Sequence, residues 1–178
     1  MTISIKPTAS GSTIEQDGST ILTVDGSGNI TPSNDLYPKV PAFRANKNLD
    51  QNISAGTWTK VIFDTEDFDT NSDYDNSTNY RFTPTVAGYY QITGSARIQY
   101  SGAAGDYVWV RIYKNGSAVM GMQNRDADGQ PYGSIMATDL IYFNGSSDYV
   151  EIYVATGHSS AYVSNSFESA FHGHLVSV

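Results

Sequence analysis

Between Gly88 and Tyr100 the chain alternates without a break. Tyr90, Ile92, Gly94, Ala96, Ile98 and Tyr100 fall on one face of an extended segment, and Tyr89, Gln91, Thr93, Ser95, Arg97 and Gln99 on the other. A period of two sustained over that length excludes a helix, whose same-face positions recur every three or four residues. Gly105–Lys114 repeats the pattern, with Val108, Val110 and Ile112 opposing Tyr107, Trp109, Arg111 and Tyr113. Asn115-Gly116 then supplies the positive φ angles that a tight hairpin demands. Further strands are expected over Ile135–Phe143, Tyr149–Ala155 and Ser166–Val176, with a second Asn-Gly turn at Asn144-Gly145. No stretch of ten residues carries a helical period. Short strands with regular turn signals predict an all-β sandwich or barrel. The 13 Tyr, 7 Phe and 16 Gly agree with that class and are too aromatic for a disordered coat.

A different texture precedes this body. Residues 1–40 are rich in Ser, Thr, Gly and Asp, and their apolar residues come singly: Ile14, Ile21, Val24 and Ile30 lie around Asp17-Gly18 and Asp25-Gly26, both hairpin-turn signals. Small β-ribbons of this kind carry too little apolar mass to stand alone in water. They are expected to form an attachment arm that docks on another protein. The competing reading is an ordinary N-terminal strand with a linker.

Charge and composition narrow the function. With 10 Lys and Arg against 18 Asp and Glu, the net charge is −8, and no basic stretch could neutralise phosphates, so no nucleic-acid partner is expected. The absence of cysteine removes disulfides, thiolate catalysis and cysteine-based zinc sites. The opening MTISIKPTAS has no apolar h-region and no run is long enough to cross a bilayer, so the expectation is synthesis in a cytoplasm without membrane insertion.

Several ordered motifs resemble a known family. Phe63 is followed by Asp69 and Tyr74, and FTPTVAGYY then places Phe82, Gly88 and Tyr90 at a characteristic spacing. PAFRA at 41–45, RIYKNG at 111–116 and FHGHL at 171–175 match a first strand, a central hairpin and a closing strand. Over residues 41–178 the chain resembles the globular head of complement component 1q, within the tumour-necrosis-factor-like superfamily. It departs by one extra residue between Tyr74 and Phe82, by Ile92 and Gly94 where aromatics are usual, and by Ser146 and Ser147 ahead of Asp148. The resemblance implies a ten-stranded jelly-roll sandwich assembling as a compact homotrimer. Bulky groups on both faces of the strands agree, because a sheet apolar on both faces needs cover on both. Tyr89, Gln91, Phe171, His172 and His174 are the expected trimer-interface residues.

Candidate chemistry is sparse. Asp67, Asp69, Asn71 and Asp73 are hard oxygen donors spaced by two, a pattern that suits calcium, although Ser72 and Thr78 break the EF-hand form. A solvated acidic loop is the competing reading. His172 and His174 point the same way on a strand, and a threefold axis would bring three such pairs together as imidazole metal ligands. Trp58 and Trp109 are read as packing residues, and no Ser-His-Asp set, Trp-lined cleft or phosphate loop is present, so enzymatic activity is not expected. Loops near 101–107, 123–133 and 156–162 mix Tyr, Asn, Ser and Gly as recognition surfaces do, which nominates Asp106, Tyr107, Arg125, Asp126, Tyr132, His158 and Tyr162.

Residues 13–31, TIEQDGSTILTVDGSGNIT, resemble segments of phage tail-fibre and other virion-associated proteins. With the trimeric head, this points to a bacteriophage virion protein: a tail-fibre or receptor-binding head that contacts a host surface glycan or protein, with residues 1–40 bound to another virion protein. The alternatives are a capsid-decoration or head-fibre protein, and a bacterial lectin-like module that binds carbohydrate or a partner. No resident cofactor is expected beyond the calcium reading.

Overall fold

The computed structural model describes residues 2–9, 11–16, 18–32, 40–101, 106–125 and 131–178. The chain divides into two compact units, Met1–Lys39 and Val40–Val178. No helix occurs among the described residues.

The N-terminal unit is one antiparallel meander of β1 (Ile3–Thr8), β2 (Gly11–Gln16), β3 (Ser19–Asp25) and β4 (Ile30–Pro32). The expected ribbons therefore join into a single sheet. Its last turn is closed by Asp25, whose carboxylate accepts the backbone N–H of Ser27 and of Asn29, each at 2.9 Å. These bonds, with the Asn29 side-chain amide first among them, hold the Asp25 carboxyl below its ordinary range. Register aligns Ile5, Ile14, Leu22 and Pro32 in one row across all four strands, with Val24 beside Ile30 in the next. The opposite face carries Thr13, Thr23 and Thr31, with Lys6 and Glu15 as an ion pair at 2.5 Å. The sheet thus has one apolar face and one polar face, and Ile3, Ile5 and Ile30 are exposed.

The body is a two-sheet jelly roll. Its strands are β5 (Ala42–Asn46), β6 (Gln51–Ile53), β7 (Thr59–Lys60), β8 (Thr65–Asp69), β9 (Tyr74–Asp75), β10 (Arg81–Phe82), β11 (Gly88–Gln99), β12 (Tyr107–Lys114), β13 (Ser117–Arg125), β14 (Tyr132–Phe143), β15 (Val150–Thr156), β16 (Ala161–Val163) and β17 (Ala170–Ser177). One sheet has seven strands, running β14-β11-β17-β5-β8, with β16 and β6 continuing from the far end of β11. The other has six, β13-β12-β15-β10-β9, with β7 on β15. The segments outnumber the ten strands that the resemblance implies because several between Gln51 and Phe82 pair over only two or three residues.

Local chemistry explains the connections. Asn115 (φ 50°) and Gly116 (φ 77°) make the expected tight hairpin between β12 and β13. The second Asn-Gly pair does something else. The Asn144 side-chain carbonyl accepts the backbone N–H groups of Ser146, Ser147 and Asp148, turning the chain from β14 in one sheet to β15 in the other. Gly145 (φ 70°) is required there, since a Cβ would lie 2.4 Å from the Ala87 nitrogen. In the interior of the larger sheet the first and last strands of the body pair: Ala42 faces His174, and the Leu175 N–H donates to the Pro41 carbonyl at 2.9 Å.

The family-signature aromatics lie between the sheets. Phe43 stacks on Phe82 with centroids 4.1 Å apart, and Phe171 meets Phe43 edge-on at 4.9 Å. Phe63, Tyr74 and Tyr90 complete the cluster, the phenols donating to the backbone carbonyls of Phe63 and Val86. Burial drives the Tyr74 hydroxyl far above its usual pKa and pushes Tyr90 up to about 12, so both remain donors across the accessible pH range. Gly94 occupies the inner face of β11 opposite β15, and a Cβ would come within 2.4 Å of Ile152 Cδ1 and 2.6 Å of its Cγ1. The two sheets approach there because no side chain intervenes. Gly94→Ala should therefore overpack the core and cost about 1–3 kcal/mol, read as a lowered urea midpoint with an unchanged m-value.

Candidate functional site

Once alternate residues are committed to the core, the functional surface is set by what the other residues present. On β14, Ile135, Ala137, Ile141 and Phe143 face inward, which turns Met136, Leu140 and Tyr142 outward. On β11 the same parity turns out Tyr89 and Gln91, and on β17 His172 and His174. Register assembles these into rows: Tyr89 beside Tyr142, and His174, Gln91 and Leu140 across three strands. The Tyr89 and Tyr142 rings meet edge-on at 5.4 Å. Val176 joins them at a β-bulge opposite Tyr89. These apolar groups form a band that is solvent-exposed in the isolated chain, from 48 % for Tyr142 to 57 % for Met136. A patch of this kind on a folded domain marks an interaction surface.

Four of the five residues expected at an assembly interface lie on this outer face: Tyr89, Gln91, His172 and His174. Phe171 does not. It is fully buried against Phe43, Phe63 and Tyr74, as its position next to outward-facing His172 on an alternating strand requires. Met136, Leu140 and Tyr142 were missed, although their signal was present: Ile135–Phe143 is apolar on both faces.

The polar floor of the band is well tied. Gln91 donates to Thr138 Oγ1 at 2.7 Å, and the hydroxyls of Thr93 and Thr138 share a hydrogen at 2.9 Å. His172 lies between Thr93 and Arg44 in its row and is half-buried. Burial first, then the Arg44 and His174 charges, depress its pKa, so the neutral imidazole is favoured. Arg44, paired with Asp67, disfavours a metal cation beside His172.

The acidic run does not form one coordination shell. Asp67 accepts from Arg44 and from Asn46 Nδ2. Asp69 closes its own loop, its two oxygens taking the Asn71 N–H at 3.0 Å and the Tyr74 N–H at 2.6 Å. Asp73 is buried beneath the Thr85 N–H, and desolvation raises its pKa. Asn71 donates its backbone N–H to Asp69. The calcium reading of Asp67, Asp69, Asn71 and Asp73 is corrected accordingly: short carboxylates spaced by two serve here as turn-closing acceptors. Among the described residues no three His, Asp or Glu side chains cluster as metal ligands.

The nominated recognition residues separate. Tyr107 and Arg125 come together on the outer face of the six-stranded sheet, the guanidinium 5.7 Å from the ring centroid. Tyr132 and Tyr162 flank Gln99 on the other sheet, and Arg97 lies over Tyr132 at 4.3 Å while pairing with Glu168 at 2.7 Å. His158 is not a loop-tip residue. Its side chain is buried, stacked on Tyr100 with centroids 3.7 Å apart, and Asp106 lies 3.8 Å from its Nδ1. The aromatic face of Tyr100 gives the imidazole an apolar seat that the sequence TGHSS does not advertise. Asp126 lies outside the described residues. The reading of Trp109 as a packing residue also changes: it stacks on Tyr107 at 5.4 Å on the outer face, and Trp58 lies beneath Arg111 at 4.0 Å.

The C1q domain model matches residues 42–176. Among solved structures, murine APRIL at pH 5.0 aligns with a TM-score of 0.57 at 10% identity, covering 78% of this chain and 100% of that one. Murine APRIL at pH 8.5 gives 0.54 at 12% identity, covering 77% and 98%. The vertex protein P5 of PRD1, a phage, gives 0.52 at 15% identity, covering 77% and 96%. No curated protein sequence matches. At these identities the structures share the fold, while the family rests on the domain model and on the signature aromatics that pack the core. The chain belongs to the C1q domain family.

Proposed function

We propose that this chain is a bacteriophage virion protein, a homotrimeric tail-fibre or receptor-binding head. The body contacts the host cell surface, and residues 1–40 fix it to another virion protein. The observation that carries the assembly is the exposed band of Tyr89, Met136, Leu140, Tyr142 and Val176 on the seven-stranded sheet. Around a threefold axis each copy covers part of this band on the next, as homo-oligomers with closed symmetry do. The fold supports a binding or structural role.

The N-terminal sheet supports attachment. Its row of Ile5, Ile14, Leu22 and Pro32 is a one-sided apolar surface on a sheet too small to provide its own cover. A virion protein is the partner that the sequence resemblance of residues 13–31 suggests. Likeness to a phage vertex protein favours a second reading, in which the same trimer decorates the capsid as a head fibre. Adsorption assays separate the two: the purified head competes with phage for host cells if it is an adhesin and does not compete if it is a decoration.

Light scattering of the intact protein should give about three times the 19.3 kDa chain mass. Leu140→Arg, which places a charge in the middle of the band, should give the chain mass with an unchanged circular dichroism spectrum. A monomeric wild-type protein at micromolar concentration would overturn the assembly. Acid should destabilise the folded chain itself. Because the His172 pKa is depressed, its neutral form contributes stability above the ordinary histidine range, and that contribution is lost as pH falls through its folded value. The urea midpoint of the folded chain should therefore decline as pH falls below the ordinary histidine value of 6.5, and His172→Gln should blunt the decline. Ile5→Asp in the full chain should leave the trimer mass unchanged while removing the protein from purified particles.

A further inference from the structure

The six-stranded sheet carries an outer face that assembly through the other sheet leaves open. Val108, Val110 and Ile112 face the core, so β12 turns Tyr107, Trp109, Arg111 and Tyr113 outward. Trp109 stacks on Tyr107 and donates its Nε1–H to Gln123 Oε1 at 2.8 Å, which fixes the indole plane and orients the Gln123 amide. Arg111 is held over the Trp58 ring at 4.0 Å. Across the ladder from Arg111 stands Gly121, where a Cβ would lie 3.0 Å from Arg111 Cγ. The missing side chain opens a groove of about 520 Å3 with Trp109, Arg111, Gly121 and Gln123 along it.

The charge on this face is unusual for the chain. Against a net charge of −8, the neighbouring lysines are neutralised, Lys60 by Glu151 at 3.0 Å and Lys114 by Asp148 at 2.9 Å. Arg111 has no carboxylate partner among the described residues; its contact is the Trp58 ring. A guanidinium of this kind retains its N–H fork for a planar anion, and the aromatic support holds it in one orientation. Trp109 and Arg111 are two residues apart on one strand, roughly 7 Å, a separation that one hexopyranose residue spans.

We propose that this groove binds an acidic saccharide carrying one carboxylate per repeat. The C–H face of a pyranose, slightly positive, meets the negative face of the Trp109 ring system. The Gln123 amide, one end engaged by the indole N–H, offers its NH2 to a ring hydroxyl. The sugar carboxylate takes the Arg111 fork. One arginine suits a sparsely charged chain, whereas a nucleic acid needs several cations to neutralise its phosphates. The inference deepens the reading of the body as a surface-contacting head, and it rests on that reading only for the source of the sugar.

The test is a tryptophan-fluorescence titration of the full-length protein with a hyaluronan hexasaccharide, its carboxyl-reduced counterpart and hexaglutamate. The expected result is a saturable change with the acidic sugar alone. Arg111→Gln should weaken binding about tenfold or more, the loss expected for one charged hydrogen bond. Gly121→Val, which fills the groove, should abolish the change while light scattering and circular dichroism stay as in the wild type. No saturable change with the acidic sugar, an equal response to the reduced sugar or to hexaglutamate, or wild-type binding by Arg111→Gln would each overturn the proposal. Because the readout uses purified protein, its failure leaves the particle-incorporation and adsorption results standing, and theirs leaves it standing.

Discussion

The contact between Phe43 and Phe82 is the one on which the body depends. Phe43 belongs to β5 in the larger sheet and Phe82 to β10 in the smaller, and their rings stack at 4.1 Å across the interior. β10 is two residues long and meets β15 only at Phe82 opposite Val150. Ladder hydrogen bonds are therefore too few to hold this margin of the smaller sheet, and aromatic packing takes their place. Tyr74 and Phe171 close around the same pair, so deletion of one ring would leave a cavity bordered by several others.

This core consumes one face of each sheet and leaves two outer faces of opposite character. The face of the seven-stranded sheet presents tyrosine, leucine, methionine and valine with few charges. The face of the six-stranded sheet presents arginine and indole, with its lysines paired to Glu151 and Asp148. Copies of one chain are suited to cover the first, because self-association does not require charge complementarity. A polar ligand is suited to the second. The division follows from strand parity: on β12 the outward positions carry Trp109 and Arg111, and on β14 they carry Met136 and Leu140.

Much of this was legible in the sequence. The alternation over Gly88–Tyr100 sorted the residues of β11 onto two faces, one of which the structure turns to the core, and the ordered aromatics from Phe63 to Tyr90 named the jelly roll. Asn115-Gly116 gave a hairpin as local turn chemistry alone would require. Asn144-Gly145 did not, since the same dipeptide serves a sheet-crossing corner when its side chain caps three successive N–H groups. The failures share a cause. Phe171, His158 and Trp109 were assigned by residue type, whereas their places depend on which face of a strand meets the second sheet, a three-dimensional fact. The acidic run misled in the same way: spacing between carboxylates says nothing of the N–H groups already turned toward each one.

The pairing of β5 with β17 has a topological consequence. Since Ala42 faces His174 and Leu175 reaches Pro41, the first and last strands of the body lie side by side in the interior of one sheet, the start of one beside the end of the other. Its strand ladders therefore do not require the order in which the chain supplies them. Joining Val178 to Val40 through a short flexible segment and opening the backbone at Asn115-Gly116 would give a circular permutant with every ladder retained except the closing turn of one hairpin. Such a permutant moves the two ends of the body from the paired strands β5 and β17 to the β12–β13 hairpin, where the smaller sheet would become the point of attachment.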